Sequence, residues 1–174
     1  MLMNRRTVSL RLRRGRGVTL VELMVVVAII AVGLTLAAPG VSQTVASYRV
    51  RAAAESILAG LNYARAEAVR RNSAVSFALQ PGGSGWIVSQ VSPSATLQSR
   101  SGNDSAGTEA LSASAATAVT FLPTGLLQTG SQMAQVTVSS GADGTRSRRV
   151  NIFGGGLIRM CDPSVAADGD PRKC

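Results

Sequence analysis

A chain of 174 residues is long enough for one compact domain plus a terminal segment. It has no His, which removes the commonest general base and metal ligand and the usual nucleophile–base pair of serine or cysteine catalysis. The formal charge of +9 points first to nucleic acid, but six of the 18 basic residues (Arg5, Arg6, Arg11, Arg13, Arg14, Arg16) precede residue 17, leaving twelve basic against nine acidic residues after it.

That arginine-rich, acid-free end follows the positive-inside rule, which holds it in the cytoplasm and sends the rest of the chain across a membrane. From Val18 to Ala38 the sequence carries no charge apart from Glu22 and is predominantly apolar. At ~1.5 Å per residue a helix of that length is about as long as a bilayer's hydrocarbon is thick. A charge near a bilayer's centre costs roughly 2.5–3.5 kcal/mol, so Glu22 is expected to be functional and to need a partner. An ordinary secretory signal also has a basic start and an apolar run, with Leu36-Ala37-Ala38 as its cleavage site. It has no use for Gly17-Val18-Thr19-Leu20-Val21-Glu22 ahead of that run.

This arrangement resembles the class III signal of type IV pilins and type II secretion pseudopilins. The resemblance implies cleavage between Gly17 and Val18 by a prepilin peptidase and methylation of the new Val18 amine. It makes Glu22 the fifth mature residue, which guides assembly. Val18 stands where the family usually has Phe. The implied organisation is a leader over 1–17, a transmembrane and filament-core helix over 18–39, and a periplasmic domain over 40–174.

Pro39-Gly40 is expected to kink or loosen the helix. Beyond it the sequence turns amphipathic. Val41, Val45, Tyr48, Ala52, Ile57, Leu61, Ala64 and Ala68 recur at three- to five-residue spacing, and Arg49, Arg51, Glu55, Arg65, Glu67, Arg70 and Arg71 fall mostly on other faces. Asn72-Ser73 is the expected stop. The period then changes to two. Strands are expected at 74–79 and 86–91 around the turn Gln80-Pro81-Gly82-Gly83-Ser84-Gly85, then at 119–122, 135–139, 148–153 and 157–160, punctuated by Pro123-Thr124-Gly125, Gly141-Ala142-Asp143-Gly144 and Gly154-Gly155-Gly156. Residues 92–117, rich in Ser, Ala and Gly, read as a long exposed loop with a short ordered piece near Ala110.

A long helix followed by strands alone predicts an α+β fold, the helix lying against an antiparallel sheet. Phe77, Leu79, Trp86, Val88, Phe121, Val136, Val138 and Ile152 are expected to face the helix. Three stretches resemble the GspH/FimT branch of minor pilins and pseudopilins: Tyr63–Asn72, Val119–Gly125 and Gly156–Pro163. The resemblance implies a structural subunit, inserted in a bacterial inner membrane and assembled into a pilus or pseudopilus. Its partners would be other pilins, the assembly platform and the prepilin peptidase, with no cofactor.

Cys161 and Cys174, with twelve residues between them, are too few ligands for structural zinc. In the oxidising compartment beyond the inner membrane they favour a disulfide worth about 3 kcal/mol; the alternative is two free thiols. Asp162, Asp168 and Asp170 fit no calcium-loop spacing and read as solvated loop acids. Arg146, Arg148, Arg149, Arg159, Arg172 and Lys173 are candidates to converge as a DNA-binding patch. In some FimT-type proteins a C-terminal Gly-Arg-x-Arg motif contributes to DNA binding. Gly156-Leu157-Ile158-Arg159 keeps the second arginine and replaces the first with Leu157. The alternative role is solubilising charge at strand edges.

Overall fold

Thr19 starts the long helix α1, which runs Leu20–Arg71. The computed structural model describes residues 17–105, 107–112, 116–130 and 133–174, and among these the side chains of all but 36–39, 104 and 105. The leader arginines therefore lie outside the described residues. The backbone stays helical through Pro39-Gly40, and the chain divides there into two units, Met1–Ala38 and Pro39–Cys174. In the first unit every described side chain from Val18 to Thr35 is exposed. No single helix among the described residues is long and apolar enough to cross a membrane; Leu20–Thr35 and Gly40–Arg71 qualify only as a pair.

In the second unit α1 buries Val50, Ala53, Ala54, Ile57, Leu61, Ala64 and Ala68. Their three- and four-residue spacing makes one stripe, and its small residues let the strands come close. Gly60 shows how close. A Cβ built there lies 2.9 Å from Phe77 Cε2 and 3.0 Å from two atoms of the Trp86 indole. The Phe77 and Trp86 rings stack with centroids 5.8 Å apart, and Trp86 Nε1 donates to Ser56 Oγ at 2.9 Å. The tryptophan thus buries its ring and satisfies its one donor on the same helix face.

The expected stripe is corrected at its amino-terminal end. Val41, Val45 and Tyr48 are 60%, 41% and 69% exposed, Ala52 is exposed, and burial begins at Val50. Apolar spacing reports a face but not what covers it. The helix stops where expected. Asn72 takes the left-handed conformation (φ 47°), its N–H donates to Val69 O, and Ser73 N–H donates to Ala68 O, both at 3.2 Å. This cap satisfies two carbonyls of the last turn.

The strands form two four-stranded antiparallel sheets rather than the single sheet expected. One has the order β3-β2-β1-β5, from β1 (Val75–Leu79), β2 (Trp86–Gln90), β3 (Ala95–Arg100) and β5 (Ala118–Phe121). The other has the order β4-β6-β7-β8, from β4 (Thr108–Ser112), β6 (Gln135–Ser140), β7 (Arg148–Ile152) and β8 (Ile158–Cys161). Period-two burial fixes their registers. Val75, Phe77 and Leu79, Val119 and Phe121, Val136 and Val138, and Val150 and Ile152 all face the core. All eight residues expected to face the helix are buried.

Residues 92–117 are the second correction. The ordered piece expected near Ala110 is β4, but β3 and a 3-10 turn at Gly102–Ser105 stand where only loop was expected. β3 is an edge strand with no buried side chain, so no alternation marks it. β4 reaches back to the first hairpin. Ala110 N–H donates to Gly83 O at 3.1 Å, and the buried Thr108 and Ser84 hydroxyls are 3.0 Å apart.

Candidate functional site

The amino-terminal elements stand outside any packed core. Gly17, Val18 and Thr19 precede the helix and are exposed, so the Gly17–Val18 peptide bond is open to another protein. Glu22 N–H donates to Thr19 Oγ1 at 3.2 Å, which makes Thr19 the N-cap and Glu22 the third helical residue. Thr-x-x-Glu is the capping-box pattern, and it places the carboxylate in the first turn, where the helix dipole favours negative charge. Glu22 is exposed among Leu20, Val21, Leu23 and Met24, themselves 60–74% exposed.

At the other end of the chain Cys161 and Cys174 form a disulfide, with their α-carbons 5.1 Å apart. The tail it closes lies along β8. Asp162 pairs with Lys173 in a parallel bridge, and Asp162 N–H donates to Arg172 O at 2.7 Å. The buried Asp162 carboxylate accepts from Ser164 Oγ at 2.5 Å and Ser164 N–H at 3.0 Å, and it is ion-paired with Arg148. Burial works against its charge, but the Ser164 donors and Arg148 together outweigh that and hold the carboxyl below its ordinary range. Asp170, gripped by the Arg172 guanidinium and N–H, is lowered to about 2.

The six candidate DNA contacts are thus distributed over different tasks. Arg148, Arg172 and Lys173 are ion-paired with Asp162, Asp170 and Asp168. Arg159 donates to the Pro171 carbonyl. Arg148 and Arg159 tie the tail to the strands, and the Arg172 and Lys173 pairs lie within it. Arg149 donates to Thr137 Oγ1 at 3.3 Å, and Arg146 is exposed in the β6–β7 connection. The three aspartates of the tail, read as solvated acids, are each engaged by a basic side chain.

Two features carried no such signal in the sequence. Glu67, expected on a solvent face, is buried and accepts from Arg70 (2.9 and 2.7 Å) and Arg71 (2.6 Å). Arg70 first, then Arg71, lower its carboxyl to about 2. The three- and four-residue spacing to the two arginines was the available clue. The other is a junction of distant segments. Arg65 Nε on α1 donates to Gly125 O at 3.1 Å, and Gly156 rests against that same carbonyl, where a Cβ would collide. Both glycines have positive φ (76° and 78°). The junction joins the three stretches Tyr63–Asn72, Val119–Gly125 and Gly156–Pro163.

A capped apolar helix, two antiparallel sheets and a disulfide-closed tail make up the described chain. The family profile described as type II transport protein GspH matches residues 53–156, and the prokaryotic N-terminal methylation motif matches residues 12–38. The chain belongs to the GspH family. Its structure is similar to that of the type IV minor pilin FimU of Pseudomonas aeruginosa strain PAO1. The TM-score is 0.55 at 27% identity, over 68% of this chain and 92% of that one. It is also similar to the minor pseudopilin EpsH from the type 2 secretion system of Vibrio cholerae. There the TM-score is 0.51 at 14% identity, over 67% and 99%, a likeness of fold. No curated protein matches the sequence.

This GspH-family chain is therefore a minor pilin or pseudopilin with a prepilin methylation motif, a structural subunit and not an enzyme. The motif and the apolar helix are consistent with an inner-membrane prepilin that assembles with other pilins.

Proposed function

We propose that the chain is a minor subunit of a type IV pilus-like filament, matured by cleavage between Gly17 and Val18 and methylation of Val18. The supporting observation is the helix start: Val18 to Thr35 is wholly exposed, with a single carboxylate in its first turn. Such a surface is at rest only in a bilayer or among other helices of its kind. Cleavage creates an α-amino group at Val18, four residues from Glu22. A subunit entering the filament sets its Glu22 against a neighbour's amine, so each charge is paired where alone it is costly. The same apolar segment serves first as membrane anchor and then as filament core. The domain after Pro39 lies across the inner membrane, in the periplasm.

A second assignment, a type II secretion pseudopilin acting in protein export, is favoured by the family match itself. The two share this chemistry and differ in the machine served. The experiment addresses the shared mechanism. Mass spectrometry of the mature protein should find N-methylated Val18 as its first residue. Glu22→Ala should insert into the membrane as well as wild type while its recovery in sheared filaments falls at least about tenfold. A mature chain starting after Ala38, or Glu22→Ala subunits recovered at wild-type levels, overturns the proposal.

A further inference from the structure

Four large apolar side chains left in water gather at one end of the domain. Val69 near the end of α1, Leu126 after β5, and Phe153 and Leu157 at the β7–β8 turn are 53%, 47%, 46% and 59% exposed. Backbone contacts tie these segments together. Phe153 N–H donates to Leu157 O at 2.9 Å, which sets the two opposite each other at the hairpin tip. Leu127 N–H donates to Gly154 O at 3.3 Å, joining the two turns. Gly125 lies so near α1 that a Cβ on it falls 3.4 Å from Val69 Cγ2, and Gly156 rests on the Gly125 carbonyl. Single exposed apolar residues are ordinary. Four fixed by the same three-way junction form a patch, and such patches are interaction surfaces.

The charge beside the patch is positive. Asn151 pairs with Arg159 and Arg149 with Cys161, the successive cross-strand pairs on the face that Phe153 and Leu157 share. On α1, Arg65 sits under the Gly125 carbonyl, and the nearby carboxylate of Glu67 is buried and held by Arg70 and Arg71.

We propose that this end is the docking surface for a neighbouring filament subunit of different sequence, one that presents an apolar side chain flanked by carboxylates. The inference rests on the filament-subunit function above and names the surface through which the domain meets its neighbour. A second copy is a poor occupant. After Ala38 the chain carries twelve basic and eight acidic residues, and a basic rim repels its own kind. DNA is a poor occupant too, because Leu157 offers nothing to a phosphate and Arg148, Arg172 and Lys173 are already ion-paired. The surface is not self-complementary, so the contact is heterologous, the kind that extends a filament instead of closing a dimer.

The test uses the full chain in cells that assemble the filament, with the photo-crosslinker p-benzoylphenylalanine at position 157. The control position is 111, since Leu111 is also 59% exposed but lies on β4. Illumination should give an adduct from 157 and none from 111. Mass spectrometry should place the link in another processed pilin-class subunit, within a few residues of an Asp or Glu. Phe153→Asp and Arg159→Glu, each made in the crosslinker chain, should reduce the adduct at least about tenfold with the Cys161–Cys174 disulfide intact. No adduct at 157, an adduct to a second copy or to DNA, or an undiminished adduct in both variants overturns the inference. Sheared filaments are assayed in parallel. Wild-type chain present in them without a 157 adduct sinks the docking surface alone; wild-type chain absent from them sinks the filament function itself.

Discussion

Two stretches of α1 use apolar residues in opposite ways. From Leu20 to Leu34 the side chains are mostly large (Leu, Val, Met, Ile), and none is buried. From Val50 to Ala68 the buried positions include four Ala, with Val50, Ile57 and Leu61 among them and Gly60 pressed against two rings. The chain leaves its bulk exposed in the first stretch and sets small residues where its own strands come within contact distance. Hydrophobicity therefore does not tell which stretch builds the domain. Side-chain size and the reach of the sheets do. Val41, Val45 and Tyr48 belong to the first class although they lie within the second unit.

If the two stretches are independent, damage to the domain core should leave the amino-terminal chemistry untouched. Phe77→Ala removes a fully buried ring from beneath Gly60 and beside Trp86, and should cost about 3–5 kcal/mol. Thermal unfolding of the full-length protein in detergent measures that loss, and the mass of the mature amino terminus shows whether cleavage at Gly17 persists. Loss of processing together with the fold would break the comparison. Reduction of Cys161–Cys174 comes next. Releasing a crosslink between residues thirteen apart should cost about 3 kcal/mol by chain entropy. The tail should become protease-sensitive, since apart from the disulfide it is tied to the strands mainly through Arg148, Arg159 and the Asp162–Lys173 bridge; an unchanged melting temperature and digestion pattern would show those contacts suffice.

Much of this was legible in the residues. Glu22 stands out because a charge in an apolar run is costly, and six of the eight strands show by alternation to within a residue or two. β3 does not show and β4 shows only as a short ordered piece near Ala110, because Ala95–Arg100 buries nothing and Thr108–Ser112 buries only Thr108. Their pairing depends on β2 and β6, not on their own pattern. The division into two sheets is equally a matter of long-range pairing. Glu67 was assigned outward by charge, yet its two arginines let it be buried. The tail's ion pairs join residues such as Arg148 and Asp162, whose proximity exists only once β7 and β8 have paired. Gly125 and Gly156 read as turn punctuation, whereas their missing side chains make the junction with Arg65.

That junction gives a smaller test. Gly156→Ala sets a Cβ against the Gly125 carbonyl at a φ of 78°, and should cost roughly 1–3 kcal/mol. Gly155→Ala, one residue away, meets nothing within 4 Å and should be nearly neutral. Equal effects of the two on the melting temperature would mean that the turn tolerates the contact.

The smallest expected effect is in pH. Glu67 has a folded pKa of about 2, lowered by hydrogen bonds from Arg70 and then Arg71, against about 4.3 for an unperturbed glutamate. A folded value below the unfolded one means that the unfolded chain binds the proton first. The stabilisation from Glu67 is thus complete above about pH 4.3 and is lost as pH falls toward 2. It is modest, because the Arg70 side chain is 64% exposed and water screens the pair. Glu67→Gln should melt lower than wild type at pH 7, and the two curves should converge between about pH 4.3 and 2. Curves that stay parallel to pH 2 would mean the buried carboxylate contributes nothing through its charge. Glu22→Gln is the matching change in the other stretch. Its carboxylate is exposed outside the domain's unit, so the domain's acid unfolding profile should not move, and any shift would show that the two stretches are coupled.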